Sequence, residues 1–133
     1  MTKPTVLFVC THNAGRSQMA FGFFNHLAGD RAIAYSAGSE PADQINPSSI
    51  AVMAEKGIDI TGQRPQRWSD EMIEMADVVV TMGCGDTCPF IPGRRYVDWS
   101  LADPAGQPVD AVRPIRDQIE SHVRQLLAEL HVL

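Results

Sequence analysis

At 133 residues, 44% apolar and 20% charged, the chain has the size of one folding unit and the proportions of a globular protein, which excludes a disordered tail and a second large core. A net charge of −5 leaves no broad basic field for a nucleic-acid backbone, so any anion must be held by a local set of donors. The first apolar run, about six residues, is shorter than a signal-peptide core and far below a membrane span, so a cytoplasmic protein without nucleic-acid or membrane partners is expected.

Thr5 to Val9 (TVLFV) is an unbroken β-branched and aromatic run, the pattern of a central strand buried on both faces of a parallel sheet. A turn over Cys10 to Gly15 leads into a helix over Ser17 to Leu27, with Met19, Phe23, Phe24 and Leu27 at helical spacing and Ala28-Gly29-Asp30 as its stop. A second strand is expected at Ala32 to Ser36. A helix opens at Asn46-Pro47, where Asn caps and Pro takes the first turn, and runs to Lys56 before Gly57. A short helix near Ser69 to Met75 precedes a third strand, Asp77 to Met82 (DVVVTM), and Arg95 to Trp99 is a short fourth, with loop from Gly83 to Gly93 between them. From Val109 onward Val112, Ile115, Ile119, Val123, Leu126, Leu127 and Leu130 form a helical stripe, with Pro114 expected in about its first turn. This alternation implies an α/β fold over residues 1–133, one domain, with a small parallel sheet covered on both faces and ligands at the carboxyl ends of its strands.

Cys10-Thr11-His12-Asn13-Ala14-Gly15-Arg16-Ser17 stands where the first strand ends and the first helix begins. Five residues between Cys10 and Arg16 let the backbone curl until successive N–H groups converge on a tetrahedral oxyanion, with the positive end of the helix aimed at the same point. That field favours Cys10 as thiolate and nucleophile, and Arg16 can clamp two oxyanion oxygens with its planar fork. Ser17 is placed to donate to the thiolate, Asn13 to brace the loop, and Gly15 to relieve the curl. The loop lacks the Gly-Lys-Ser/Thr ending of a nucleotide-binding Walker loop.

Three cysteines in a chain expected to stay inside the cell argue for thiol chemistry or simple burial over a disulfide framework. Taken alone, Cys84 and Cys88 in Gly83-Cys84-Gly85-Asp86-Thr87-Cys88-Pro89 read as a thiol pair, as chance burial, or as half a zinc site whose other ligands the segment does not supply.

Val9-Cys10-x-x-Asn13-x-x-Arg16-Ser17, with Tyr35-Ser36-Ala37-Gly38 and Asp103-Pro104, resembles the low-molecular-weight protein tyrosine phosphatase superfamily over essentially the whole chain. The resemblance implies a four-stranded parallel sheet flanked by helices, Cys10 as nucleophile, Arg16 as oxyanion ligand within a loop of Thr11, His12, Asn13, Ala14, Gly15 and Ser17, and Asp103 as general acid. Val79-Val80-Thr81, Cys88-Pro89, Gln18-Met19-Ala20 and the small Ala105-Gly106 after Asp103-Pro104 resemble more closely the arsenate reductases of that superfamily. These imply attack of Cys10 on arsenate, relay through Cys84 and Cys88, and thioredoxin as reductant, with no cofactor and no metal. Phosphate and sulfate would enter the same loop as mimics, and some phosphatase activity is expected. The alternatives are a mycothiol-coupled reductase, a phosphatase, or a non-catalytic oxyanion-binding module. The chain departs from the pattern in the three-residue spacing between Cys84 and Cys88, in His12-Asn13-Ala14-Gly15, and at Phe21, where a branch of these reductases carries an acidic residue serving a potassium site.

Overall fold

The computed structural model describes residues 3–83 and 95–133. Strand β1 (Thr5–Cys10) is buried at every position, as a two-sided apolar run requires, and it takes the interior of the sheet. The other strands are β2 (Ile33–Gly38), β3 (Val78–Thr81) and β4 (Arg95–Asp98). All pair parallel in the order β2-β1-β3-β4. The expected α/β architecture is the observed one.

Alternation along β1 divides the core. Val6, Phe8 and Cys10 face a large cluster built with helices α1 (Arg16–Ala28), α2 (Pro47–Ala54) and α4 (Val109–Glu129), whereas Leu7 and Val9 pack with Ile73 of α3 (Asp70–Met75) on the other face. Phe8 anchors the larger cluster, meeting Phe24 edge-on at 5.6 Å and Trp99 at 5.8 Å.

Helix starts follow the expected chemistry. The Asn46 side chain accepts from the Ser48 N–H at 2.9 Å with Pro47 in the first turn, and Ser69 accepts from the Met72 N–H at 3.2 Å to open α3. Pro114 is a small correction: it is the sixth residue of α4, in the second turn, where its missing N–H leaves the Asp110 carbonyl without that helical partner. The expected helical stripe is buried from Val112 to Leu127. Apart from Gly83, the loop expected between the third and fourth strands lies outside the described residues, and so do Cys84 and Cys88. Among the described residues no helix is long and apolar enough to cross a membrane.

An ion cluster ties α2 to α4. Glu55 accepts from Arg113 Nη2 at 2.8 Å and from Arg116 Nη1 at 2.6 Å, and Arg116 Nη1 also donates to the Val52 carbonyl at 3.0 Å. Arg113, with Arg116 beside it, holds the Glu55 carboxyl down to about 2. A carboxylate depressed in the folded state contributes stability that is complete above its unfolded value and is lost as pH falls through the folded one. Glu55→Gln is therefore expected to lower Tm at pH 7 by about 2 °C, the modest size expected of a solvent-facing cluster. The gap from the parent should close between about pH 4.5 and pH 2; thermal melts across that range check it.

Candidate active site at the carboxyl edge of the sheet

The carboxyl end of β1 delivers Cys10 to a cavity of about 310 Å³ whose lining includes His12, Arg16, Asn46, Asp103 and Pro104. Between Cys10 and Arg16 the chain curls, and the carbonyls of the curl are taken up on its outer side. Thr11 O accepts from Glu40 N at 2.8 Å, His12 O from Ala42 N at 2.9 Å and Ala14 O from Asn46 N at 2.8 Å. Asn13 O accepts from Gln18 Nε2 at 2.8 Å. Among the described residues no acceptor takes the N–H of His12, Asn13, Ala14, Gly15 or Arg16, so these donors remain for an anion at the start of α1.

The left-handed residue of the curl is Asn13, at φ 50°, and not Gly15, whose φ is −131°. The steric relief expected of Gly15 is present, and its source is a neighbour distant in sequence. What Gly15 supplies is room: a Cβ there would stand 2.6 Å from Cγ of Pro104.

Asn13 is fully buried, and its amide orientation follows from its partners. Oδ1 accepts from the Gln66 N–H at 2.9 Å, a group that can only donate, so Nδ2 faces Ser17 Oγ at 2.7 Å. With one lone pair of Ser17 so occupied, its hydrogen is available to Cys10 Sγ, 2.9 Å away. Either atom of this pair can donate, and to a Cys10 thiolate the Ser17 hydroxyl supplies a directed hydrogen bond.

Arg16 is held from three sides. Nη1 donates to the Leu101 carbonyl at 3.3 Å, and Nη2 lies 3.9 Å from Oδ2 of Asp103. The third side is Gly83, at φ 86°, over which the guanidinium lies so closely that a Cβ would collide with Nη1. Thr11 Oγ1 also donates to the Gly83 carbonyl at 3.4 Å. Asp103 is exposed at the rim, its Oδ1 accepting from the Ala105 N–H at 3.0 Å. Asn46 joins the two sides of the cavity, because its N–H donates to Ala14 O while Nδ2 donates to Pro104 O at 3.0 Å.

Gly83→Ala is expected to reduce kcat/KM by about 100-fold, since a displaced Arg16 misaligns the oxyanion. The control is Gly29→Ala, also at positive φ (59°) but with nothing within 4 Å of the new Cβ. It should cost about 1–2 kcal/mol of stability and no activity. Parallel melts and kinetics on the two variants check the contrast.

The family model for low molecular weight phosphotyrosine protein phosphatases matches residues 5–132. The chain belongs to that family. Within it the chain is 37% identical over 128 residues to the glutaredoxin arsenate reductase of Synechocystis, covering 94% of this chain and 97% of that protein. It superposes with TM-score 0.85 on the thioredoxin-dependent arsenate reductase Cg_ArsC1' of Corynebacterium glutamicum, at 38% identity, covering 98% of this chain and 63% of that one. A third relative, an arsenate reductase in its phosphate-binding state, superposes with TM-score 0.84 at 35% identity, covering 96% of this chain and 98% of that one.

The structure brings Cys10, Arg16, Asp103 and the loop from Thr11 to Ser17 to this one cavity edge. Asn46 joins them in the lining, and Gly83 and the carbonyl of Leu101 hold Arg16 in place. Asn46 was legible only as a helix cap, and no local pattern marks its second bond, to a residue 58 positions away.

Proposed function

We propose that the chain reduces arsenate to arsenite, with Cys10 as nucleophile, Arg16 and the amides of the loop as oxyanion ligands, Asp103 as general acid, and Cys84 and Cys88 as a disulfide relay. Thr11 to Ser17 and Arg16 hold three arsenate oxygens while the Cys10 thiolate attacks arsenic, and Asp103 protonates the departing oxygen as water. In the next step the Cys84 thiolate attacks Cys10 Sγ. The S–As bond breaks with its electron pair going to arsenic, which leaves as arsenite, and a Cys10–Cys84 disulfide remains. Attack by the Cys88 thiolate on Cys84 frees Cys10, and a dithiol partner of the thioredoxin class reduces the Cys84–Cys88 disulfide.

The observation that carries this reading is the position of Gly83. It meets both Arg16 and Thr11, and Cys84 is the next residue, so a second thiol begins one peptide bond from the oxyanion site. A phosphatase resolves its cysteine intermediate with water and has no use for that thiol. The names of the Corynebacterium and Synechocystis relatives support arsenate as substrate and a thioredoxin-fold protein as partner. The net charge of −5 and the small cavity agree with an inorganic anion as substrate and with an aqueous compartment such as the cytoplasm.

The test is arsenate-dependent NADPH oxidation by the purified protein with thioredoxin and thioredoxin reductase. Steady oxidation establishes substrate and partner together. Oxidation only with glutaredoxin and glutathione, or only with mycothiol, changes the partner and retains the reaction. No oxidation under any of them, with aryl phosphate hydrolysed, overturns the reductase in favour of a phosphatase.

A further inference from the structure

Behind the oxyanion loop, on the side away from the cavity, two glutamine side chains form a directed pair. Gln18 is fully buried, and its Nε2 donates both to Asn13 O at 2.8 Å and to Arg64 O at 3.0 Å. Carbonyls only accept, so the Gln18 amide has one possible orientation, with Oε1 facing Gln63. Gln63 Nε2 donates to that Oε1 at 2.7 Å and to the Gln18 carbonyl at 3.0 Å. Neither glutamine lines the cavity that holds Cys10.

This pair acts on the one residue of the loop with a left-handed backbone. An asparagine at φ 50° is tolerated only when its surroundings hold it there. Asn13 is gripped at two points: Gln18 holds its carbonyl, and the Gln66 N–H holds its side-chain oxygen. The remaining Asn13 donor fixes Ser17 Oγ, which stands 2.9 Å from Cys10 Sγ and can donate to it as a thiolate. Every bond in the series Gln63 to Gln18 to Asn13 to Ser17 has its direction set by a neighbour that can only donate or only accept.

We propose that Gln18 and Gln63 are positioning residues for the nucleophile: from the far side of the loop they hold Asn13 left-handed and thereby keep the Ser17 hydroxyl aimed at the Cys10 sulfur. The proposal rests on Cys10 as a thiolate nucleophile, and holds for reductase and phosphatase chemistry alike. Loss of the amide at position 18 removes the donor to Asn13 O; the loop then relaxes, Ser17 turns, and the thiolate loses its directed hydrogen bond.

The test measures iodoacetamide alkylation of Cys10 against pH in a Cys84→Ser/Cys88→Ser background, where Cys10 is the sole thiol. Gln18→Met keeps the length and removes the amide. The pH of half-maximal alkylation should rise by about one unit, a tenfold loss of reactivity below both midpoints, because a charge-assisted bond to the thiolate is lost. Gln63→Met, at a half-buried site, should move it in the same direction by less, and it decides the matter if Gln18→Met does not fold. Unchanged midpoints in folded variants, with the parent midpoint well below the free-cysteine value of about 8.5, overturn the positioning role alone. A parent midpoint at about 8.5 overturns the thiolate reading and this proposal together.

Discussion

Cys84→Ser is expected to release no arsenite in catalytic amounts with thioredoxin present, while hydrolysis of an aryl phosphate continues near the parental rate. The first step needs only Cys10, Arg16, the loop amides and Asp103, all of which the variant retains. Without the Cys84 thiol the relay lacks the group that attacks Cys10, so the arsenate adduct reverts by attack of water and NADPH oxidation should fall to background. A water-resolved phosphocysteine is indifferent to the change. Cys88→Ser differs in kind: one equivalent of arsenite forms, Cys10 and Cys84 end joined, and turnover stops. Rapid-quench counting of arsenite per enzyme separates zero, one and many. Multiple turnover by Cys84→Ser with thioredoxin would remove the relay and leave the oxyanion chemistry standing.

Asp103→Asn should lower arsenate turnover by about 10²–10⁴-fold, the range for loss of a general acid. An amide at this position can still accept from the Ala105 N–H through its oxygen, so the turn that presents the side chain survives. Its weak ion pair with Arg16 at 3.9 Å is lost, a small matter for a carboxylate exposed at 54%. The substituted residue therefore removes the proton and little else. Because the departing group of arsenate is a poor one, the loss should be large there and less than about tenfold for an aryl phosphate with a strongly acidic phenol. Rates across a series of phenols, set beside the arsenate rate, measure the difference. Equal losses on both would assign Asp103 to binding through Arg16.

The parts of this molecule written in local pattern were legible before any coordinates. TVLFV and DVVVT declare strands because β-branched runs fit a pleated, two-sided core, and Asn46-Pro47 declares a helix start because its side-chain oxygen meets an unsatisfied N–H. The oxyanion loop belongs with these, since strand, curl and helix are contiguous. What escaped depends on partners distant in sequence. Gln18 to Gln63 spans 45 positions and Asn46 to Pro104 spans 58, and neither residue type announces its partner. The neighbour that requires Gly15 is hidden for the same reason: glycine in a tight loop suggests backbone freedom, yet Pro104, which a Cβ would strike, comes from a segment far along the chain. Pro114 shows the reverse, tertiary packing of α4 on α1 and α2 overriding a local preference.

Asn46 gives the two banks of the cavity a common latch. One side chain closes the first turn of α2, grips the Pro104 carbonyl, and through its own N–H grips Ala14 beside the nucleophile. Pro104 occupies the space that a Cβ at Gly15 would need. The turn that carries Asp103 and the loop that carries Cys10 are therefore hung on one residue, so the distance between acid and nucleophile is set by the start of α2 and not by either loop alone.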